Sequence, residues 1–317
     1  MKMHARAATI AAGLVMGLGS AIVGVSKPPP PPPPPPYNPQ IVYLAHSQGG
    51  RTTNIDVSNA DGRDVVSLYT TRNLTWDAKF APNGNRVVFL EQNDIKVLTY
   101  AVTSQGVTTT SVTTIATELY TPSHVDVSPD GTELLIVEHT ADPNQWAVYV
   151  MSIGGGSRLQ IPVTPNVYPD AIWAHSNSRI AVVIGAPVEE NFGTQTIQVI
   201  DLDAANSYSV VNVTTVFTNT VNGLYQIGRI ESAHTTDTLL FSALPGTTNE
   251  GVYTLDIGAM TVSGPLVAGD SPSYSADDTT ILFRGPPSSD LFTLNPTTHV
   301  QVQVTSGVLL GAPDFLP

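Results

Sequence analysis

Eight ionisable side chains occur near the ends of short β-type stretches that are far apart in the sequence. They are Asp77, Lys79, His124, Asp126, Asp170, Arg229, Glu231 and Asp314. Gathered by the fold, these groups could bind a cation, a sugar or a basic segment of another protein. They could equally pair with one another and with loop amides, because buried charges need counter-charges or hydrogen-bond partners. No spacing within the set selects a ligand, so both interpretations stay open.

A second stretch has the pattern of a catalytic serine. Residues 41–44 followed by Ala45-His46-Ser47-Gln48-Gly49 are similar to the strand and nucleophile elbow of an α/β-hydrolase. That elbow requires a helix after the serine and further strands before it, since both donate amides to the oxyanion. Here residues 51–58 have the pattern of a strand, and only prolines and an apolar segment lie upstream. We therefore expect a hairpin loop at this position and no catalytic residues in the chain.

The histidines do not form a metal-binding pattern. Those that follow the N-terminal segment are His46, His124, His139, His175, His234 and His299. None lies two or four residues from another, the spacings that place two ligands within one element. Asp201, Asp203 and Asn206 lack the repeated acidic pattern and closing Glu of a calcium loop. His175 and His234 occupy a position that proline fills in related stretches, which indicates a role in a turn. We predict no metal site and no cofactor.

One hairpin pattern recurs along the chain and must position these side chains. Residues 125–138 (VDVSPDGTELLIVE) form an alternating run, a Ser-Pro-Asp-Gly turn and a second β-type run. Residues 80–91 align with this hairpin without a gap, and weaker copies occupy residues 173–184, 232–243 and 274–284. Beyond Tyr37 no window of helical length shows a period of 3.6, so the domain is predicted to be all-β. The Thr-rich residues 107–117 are predicted to form an exposed outer strand.

The spacing of the copies predicts a β-propeller. The aligned turn positions Gly84, Gly131, Asn177, Thr236 and Asp278 are separated by 47, 46, 59 and 42 residues, close to the roughly 40 to 45 residues of a four-stranded blade. Residues 40–47 match the second strand of this unit, and residues 315–317 match the end of its first strand. The predicted fold is therefore an all-β, six-bladed β-propeller of four-stranded antiparallel blades, with one blade closed by N- and C-terminal strands.

The repeat unit has a strand ending in Ser-Pro-Asp-Gly, then an apolar strand, and then a strand that ends near two acidic residues, such as Asp201 and Asp203 in Asp201-Leu202-Asp203. It resembles the TolB-type β-propeller family, and the resemblance covers residues 40–317. Residues 82–84 and 129–131 keep the Pro-(Asp/Asn)-Gly core of the family repeat. The resemblance implies a propeller outside the cytoplasm that is commonly used for protein contacts, with no defined reaction. On such a fold the eight ionisable residues lie on the innermost strands, around the central channel.

The first 39 residues are predicted to lie outside the propeller. Lys2 and Arg6 precede nineteen uncharged residues rich in Ala and Gly, which indicates a signal peptide over residues 1–27 or an uncleaved membrane anchor. Nine consecutive prolines follow, and residues 28–39 are predicted to be a polyproline II linker, about 28 Å long over the prolines. The predicted location is therefore extracytoplasmic, in the periplasm or secreted.

Composition disfavours several classes of partner. The chain has 26 acidic residues, 13 basic residues and no cysteine, so disulfides and thiolate metal sites are absent. Without residues 1–27, 10 basic residues remain against the same 26 acids. This acidic balance disfavours nucleic acid and anionic membrane surfaces as partners. A membrane is expected to be contacted only through the N-terminal segment.

The function predicted from these features is that of an exported, non-enzymatic β-propeller that mediates protein–protein or ligand interactions in the cell envelope. The predicted partner is another envelope or extracellular protein, including a cationic segment of such a protein. The alternative is a carbohydrate- or peptide-active lyase or hydrolase that uses the polar mouth of the channel. A propeller enzyme would need histidine, arginine or carboxylate groups that converge at one face.

Overall fold

The computed structural model of the chain is built almost entirely from β-strands. It describes residues 38–46, 52–82, 84–104, 106–142, 145–163, 167–185, 193–224, 226–245, 250–286, 290–306 and 313–316, without the side chains of residues 167–169, 221 and 222. The predicted signal peptide and nearly all of the polyproline linker lie outside the described residues and stay predictions.

The described residues form 24 strands and two short 3₁₀ turns, Ala204–Asn206 and Asn219–Asn222. The first twelve strands are β1 (Ile41–His46), β2 (Thr53–Ser58), β3 (Val66–Thr71), β4 (Thr75–Phe80), β5 (Arg86–Glu91), β6 (Asp94–Thr103), β7 (Gly106–Ala116), β8 (Pro122–Val127), β9 (Glu133–His139), β10 (Trp146–Ser152), β11 (Leu159–Ile161) and β12 (Val167–Trp173). The others are β13 (Arg179–Ile184), β14 (Thr196–Asp203), β15 (Ser209–Thr218), β16 (Gln226–Ser232), β17 (Thr238–Leu244), β18 (Gly251–Asp256), β19 (Thr261–Ala268), β20 (Asp270–Tyr274), β21 (Ile281–Gly285), β22 (Asp290–Leu294), β23 (Gln301–Gln303) and β24 (Asp314–Phe315). No helix in the described part of the chain has the length and apolar character needed to cross a membrane.

The strands form six antiparallel sheets of four, which confirms the predicted six-bladed propeller. Blade 1 has the order β24-β1-β2-β3, and blades 2 to 6 follow along the chain, from β4-β5-β6-β7 to β20-β21-β22-β23. The first strand of each blade is innermost, and inner strands of neighbouring blades contact one another around the ring. We call the side that carries the hairpin turns between first and second strands the turn side, and the other the opposite side.

Blade 1 combines strands from the two ends of the propeller. Ile41 pairs with Phe315 and Val42 with Asp314 in antiparallel register. The Leu316 amide also donates a hydrogen bond of 2.8 Å to the Gln40 carbonyl. Phe315 is buried against residues of blades 1 and 6, so the C-terminal strand closes the ring by packing as well as by pairing.

The core lies between the blades. Each of the six apolar clusters in the described residues joins two neighbouring blades and no others. β5 shows why: Phe89 packs toward blade 1, whereas Val88 and Leu90 pack toward blade 3. Because successive side chains of a strand point to opposite faces, a strand buried on both faces needs apolar residues at every position. The unbroken Val-Val-Phe-Leu run of β5 meets that requirement.

Candidate functional site

The innermost strands carry all eight predicted site residues. Asp77 and Lys79 lie on β4, His124 and Asp126 on β8, Asp170 on β12, Arg229 and Glu231 on β16, and Asp314 on β24. Side chains two positions apart point to the same face of a strand, so the set forms two layers across the channel. The turn-side layer is Lys79, Asp126, Glu231 and Asp314. The opposite-side layer is Asp77, His124, Asp170 and Arg229.

In the turn-side layer, one ammonium group serves two carboxylates. Lys79 Nζ lies 2.5 Å from Glu231 Oε2 and 3.1 Å from Asp314 Oδ1. Burial by itself would lower the pKa of Lys79, but the carboxylates of Asp314 and Glu231 hold that pKa well above its ordinary value. Lys79 is therefore a permanent cation shared by blades 1, 2 and 5.

Two carboxyl groups of the same layer hold protons more tightly than usual. Burial raises the pKa of Asp126 to about 7, against the attraction of Lys79 and with added repulsion from Glu231. Burial likewise raises the pKa of Asp314 to about 6, again opposed by Lys79. Three acids and one ammonium thus share a poorly hydrated space, and at neutral pH part of the excess negative charge is removed by protonation.

The opposite-side layer is organised around Arg229 and His124. His124 Nδ1 lies 2.8 Å from Asp77 Oδ2, and His124 Nε2 lies 3.5 Å from Asp170 Oδ1. The Arg229 guanidinium contacts His124 and lies 3.5 Å from both Asp77 Oδ1 and Asp170 Oδ1. Burial would raise the pKa of Asp77, but Arg229 and His124 outweigh burial and lower it. In this layer one guanidinium therefore lies between two carboxylates.

Most of these carboxylates also tie one blade to the next. Asp77, Asp126, Asp170 and Asp314 accept backbone N–H hydrogen bonds from Val125 (3.0 Å), Trp173 (2.7 Å), Ile230 (2.6 Å) and Phe80 (2.8 Å). Ser273 takes the same role toward the Phe315 amide at 3.1 Å. Each donor belongs to the inner strand of the following blade. The structural and the binding interpretation of the eight residues are therefore compatible, because one carboxylate can hold a blade with one oxygen and line the channel with the other.

A cavity of about 340 Å³ opens on the turn side, with the turn-side layer as its floor. Its walls include Phe80, Val127, Trp173 and Phe315, with Pro82 and Pro129 on the turns. His175 and His234, for which the sequence indicated a turn role, contribute to the same lining. The site therefore has apolar walls over a charged floor.

The apolar walls were missed at the level of sequence. Phe80, Val127 and Phe315 each follow a residue of the turn-side layer, and Trp173 occupies the same position in its repeat. The alignment of the repeats contains this signal, because one repeat position is apolar or aromatic in five blades and is Ser232 only in blade 5. That the position faces a common cavity depends on closure of the ring, which no single repeat reveals.

No protein-family model and no curated protein sequence matches the chain. Among solved structures, TolB from Acinetobacter baumannii aligns over 90% of this chain and 68% of its own, with a TM-score of 0.69 and 14% identity. A chain of a nidogen–laminin complex aligns over 88% and 98%, with a TM-score of 0.63 and 9% identity. The oligogalacturonate lyase from Vibrio parahaemolyticus aligns over 84% and 78%, with a TM-score of 0.52 and 11% identity.

The fold is that of a TolB-like β-propeller. The family resemblance predicted from the repeats is confirmed at this level. Sequence identities of 9 to 14% carry the fold alone. Since proteins named for a complex and for a lyase share the architecture, the function of the TolB-like propeller must be argued from its own residues.

The opposite side of the propeller has a cavity of its own, of about 330 Å³. It is lined by Asp170 and Arg229 of the opposite-side layer, together with Glu250, Asp270 and Arg284. Arg284 and Asp270 form a bidentate ion pair, in which Nε lies 2.7 Å from Oδ1 and Nη2 lies 2.9 Å from Oδ2. Burial raises the pKa of Glu250. This mouth is polar and largely self-paired, in contrast to the apolar walls on the turn side.

The hydrolase-like stretch does not form an elbow in the part that the structure describes. β1 ends at His46, β2 begins at Thr53, and the two strands pair in antiparallel register along their whole length. His46 Nδ1 lies 3.2 Å from Thr53 Oγ1 across this hairpin. Ser47 lies outside the described residues. Within the described ranges, no three His, Asp or Glu side chains are grouped in a way that could hold a metal ion.

Proposed function

We propose that this protein is an exported, non-enzymatic TolB-like propeller that binds a segment of an envelope or extracellular protein in its turn-side cavity. The observation that carries the proposal is the combination of apolar walls and an acidic floor in one cavity of about 340 Å³. Aromatic and proline side chains supply contact area at a low cost in conformational entropy. The floor supplies a preference for positive charge.

The preference for positive charge follows from the composition of the turn-side layer, which has three carboxyl groups and one ammonium group. Lys79 is committed to Glu231 and Asp314. Asp126 lies at the cavity surface, and burial raises its pKa to about 7. An entering lysine, arginine or amino terminus would pair with the carboxylate of Asp126 and favour its ionised form. A cationic segment is therefore favoured over a neutral one.

The hydrogen bonding of the Ser232 hydroxyl in the cavity also favours a binding role over a catalytic one. Ser232 lines it, but its hydroxyl donates to the Ala233 carbonyl at 3.1 Å and makes no bond to a histidine in the described residues. An activated nucleophile requires a base within hydrogen-bond reach. Turnover of a peptide or an oligogalacturonate by the purified chain, abolished by changes at His175 or His234, would instead support the enzymatic alternative.

Export is part of the same proposal and rests on the N-terminal sequence. A signal peptide over residues 1–27 would place the propeller outside the cytoplasm, and the linker of residues 28–39 would hold it away from a membrane or wall. Mass determination of the mature N-terminus after fractionation tests both statements. A chain that retains Met1 in the cytoplasm would contradict export.

The binding proposal is tested by cross-linking in the native envelope, followed by affinity capture and identification of bound proteins. Asp126→Asn keeps an acceptor for the Trp173 amide but removes the charge, so capture should weaken about tenfold and lose its salt dependence. Glu250→Gln removes a carboxyl from the opposite cavity and is the matched control, with capture unchanged. Capture that depends on Glu250 and not on Asp126 would move the site to the opposite side and overturn the proposal.

A further inference from the structure

The outermost strand of blade 2 is long and lacks the charge and proline that usually prevent edge strands from pairing. β7 has 11 residues, carries no charge and no proline, and exposes all seven residues from Thr108 to Thr114. Edge strands are normally kept from pairing by shortness, charge or proline. The outer strands of blades 3 and 6 have three residues each, and β19 contains Pro265. β7 has none of these three protections. Register shifts in its pairing with β6, at Thr110 and at Ile115, limit its regular edge to residues 111–114.

The two ends of β7 are fixed while its middle is open. Val107 is buried between blades 1 and 2, and Ile115 packs against the cluster between blades 2 and 3. Thr109 Oγ1 donates to the Leu68 carbonyl of β3 at 2.6 Å. These anchors hold the middle of the strand, from Thr110 to Thr114, in an extended form at the surface.

The backbone groups in the middle of β7 point outward. The Tyr100 amide of β6 donates to the Asn85 carbonyl at 2.9 Å, and β6 pairs with β5 without a register shift. By the alternation of an antiparallel ladder, the amide and carbonyl of Leu98 also face β5. Leu98 is opposite Val112, so the N–H and C=O of Val112 face away from β6, toward solvent. The same reasoning applies to Thr114, which is opposite Lys96.

We propose that β7 pairs in antiparallel orientation with β7 of a second copy of this chain, about a two-fold axis at Val112. In this register Val112 meets Val112 and Ser111 meets Thr113, and Ser–Thr pairs are favourable across strands. The register shift at Thr110 ends the regular pairing beyond these residues. The strand is therefore complementary to itself, as an isologous interface requires. Because β7 carries no charge, two strongly acidic chains can meet there without pairing charged side chains.

The other long outer strand fits this role less well. β15 has 10 residues, but Val216 and Phe217 are buried. The side-chain amide of Asn212 also donates to Asp201 and Thr214. Val211 on β15 is 68% exposed, compared with 38% for Val112. Val211 therefore provides a matched control position, an exposed valine on an outer strand that the dimer does not use.

The test places a charged residue at Val112, on the two-fold axis. It measures the mass of the full chain by sedimentation over a range of concentrations. The unchanged chain should dimerise, more tightly at higher salt because screening reduces the repulsion between acidic copies. Val112→Lys and Val112→Glu should each weaken the dimer about tenfold, since like charges face each other across the axis. An equimolar mixture of the two should restore a mixed dimer. Val211→Lys should change nothing.

Three results would overturn the proposal. The first is an unchanged chain that stays monomeric up to its solubility limit. This result would overturn the proposal even if an extended strand of another protein were found paired with β7. The second is a mixture of the two Val112 variants that associates no better than either variant alone. The third is an equal loss of association in Val211→Lys. Melting temperatures of all variants, measured at concentrations where the unchanged chain is monomeric and expected to match, separate a lost interface from lost folding.

Discussion

Asp77 and Asp126 are both buried on inner strands, yet the pKa values of their carboxyl groups are shifted in opposite directions. Asp77 faces Arg229 and His124, and its pKa is lowered despite burial. Asp126 accepts the Trp173 amide but shares its layer with two further acids, and burial raises its pKa to about 7. The difference is that Asp77 is attracted by both Arg229 and His124, whereas repulsion from Glu231 adds to burial at Asp126.

This contrast predicts a pH dependence of stability. A carboxyl whose pKa is raised on folding stabilises the fold when protonated, so its contribution is complete below the ordinary pKa of 3.8 and is lost as the pH rises to about 7. Asp126→Asn stays neutral and should flatten the fall in the free energy of unfolding between about pH 4 and pH 7, by up to about 1.4 kcal/mol per pH unit. Urea titrations across this range measure the slope.

Asp77→Asn is the control for that slope. Because the pKa of Asp77 is lowered, its contribution is present above pH 3.8 and is lost only at lower pH. The variant should therefore be less stable at every pH from about 5 to 7 without a change in slope. Equal slopes for the unchanged chain and Asp126→Asn would show that the carboxyl of Asp126 is not a proton-binding group of the folded state.

At the scale of elements, the hairpin turn was predictable in position but only partly in chemistry. The Gly131 amide donates to the Ser128 carbonyl at 2.8 Å, with φ of 72° at Gly131. In blade 6 the residue at this position is Asp278, with φ of 56°. What the two turns share is a Ser-x-Asp-x-Thr pattern, in which the Asp side chain accepts bonds from the Ser and Thr hydroxyls. The Pro-Asp-Gly pattern alone does not contain that information.

The buried hydroxyl of Ser128 should be important for the turn in blade 3. It accepts the amides of Thr132 (3.2 Å) and Glu133 (2.9 Å) and donates to Asp130 at 2.7 Å. Ser128→Ala is expected to lower the free energy of unfolding by about 1 to 3 kcal/mol, because the Glu133 amide loses its acceptor and the Thr132 amide keeps only Asp130. Ser152→Ala, which removes one exposed bond to Gly154, should cost less than about 0.5 kcal/mol. Equal costs would contradict the role of Ser128.

Strand positions and register could be predicted because each blade repeats the same local pattern. The predicted second strand of residues 40–47 and the predicted outer strand of residues 107–117 match β1 and β7 within one residue at each end. The same alignment placed the eight ionisable residues on inner strands. Their pairing could not be predicted, because Lys79 reaches blades 5 and 1 rather than a sequence neighbour. Contacts across a closed ring have no local signature.

At the scale of the whole molecule, the two ends of the propeller hold the ring together. Deleting residues 308–317 removes β24 and exposes strand β1 and the faces covered by Phe315 and Leu316. Burial of each such side chain contributes roughly 1.5 to 3 kcal/mol, and the Asp314 bonds to Lys79 and Phe80 are lost as well. We expect the truncated chain to aggregate, as measured by gel filtration. A monomeric product with an unchanged melting temperature would contradict closure by the termini.

The turn-side cavity is the central claim, and site-specific photo-cross-linking in living cells tests it most directly. A photoreactive phenylalanine analogue at Pro129, an exposed position of the cavity lining, should form a covalent adduct with a partner protein. The same analogue at Glu250, in the lining of the opposite cavity, should form none. Asp126→Asn should reduce the adduct at Pro129. An adduct at Glu250 without one at Pro129 would contradict binding on the turn side.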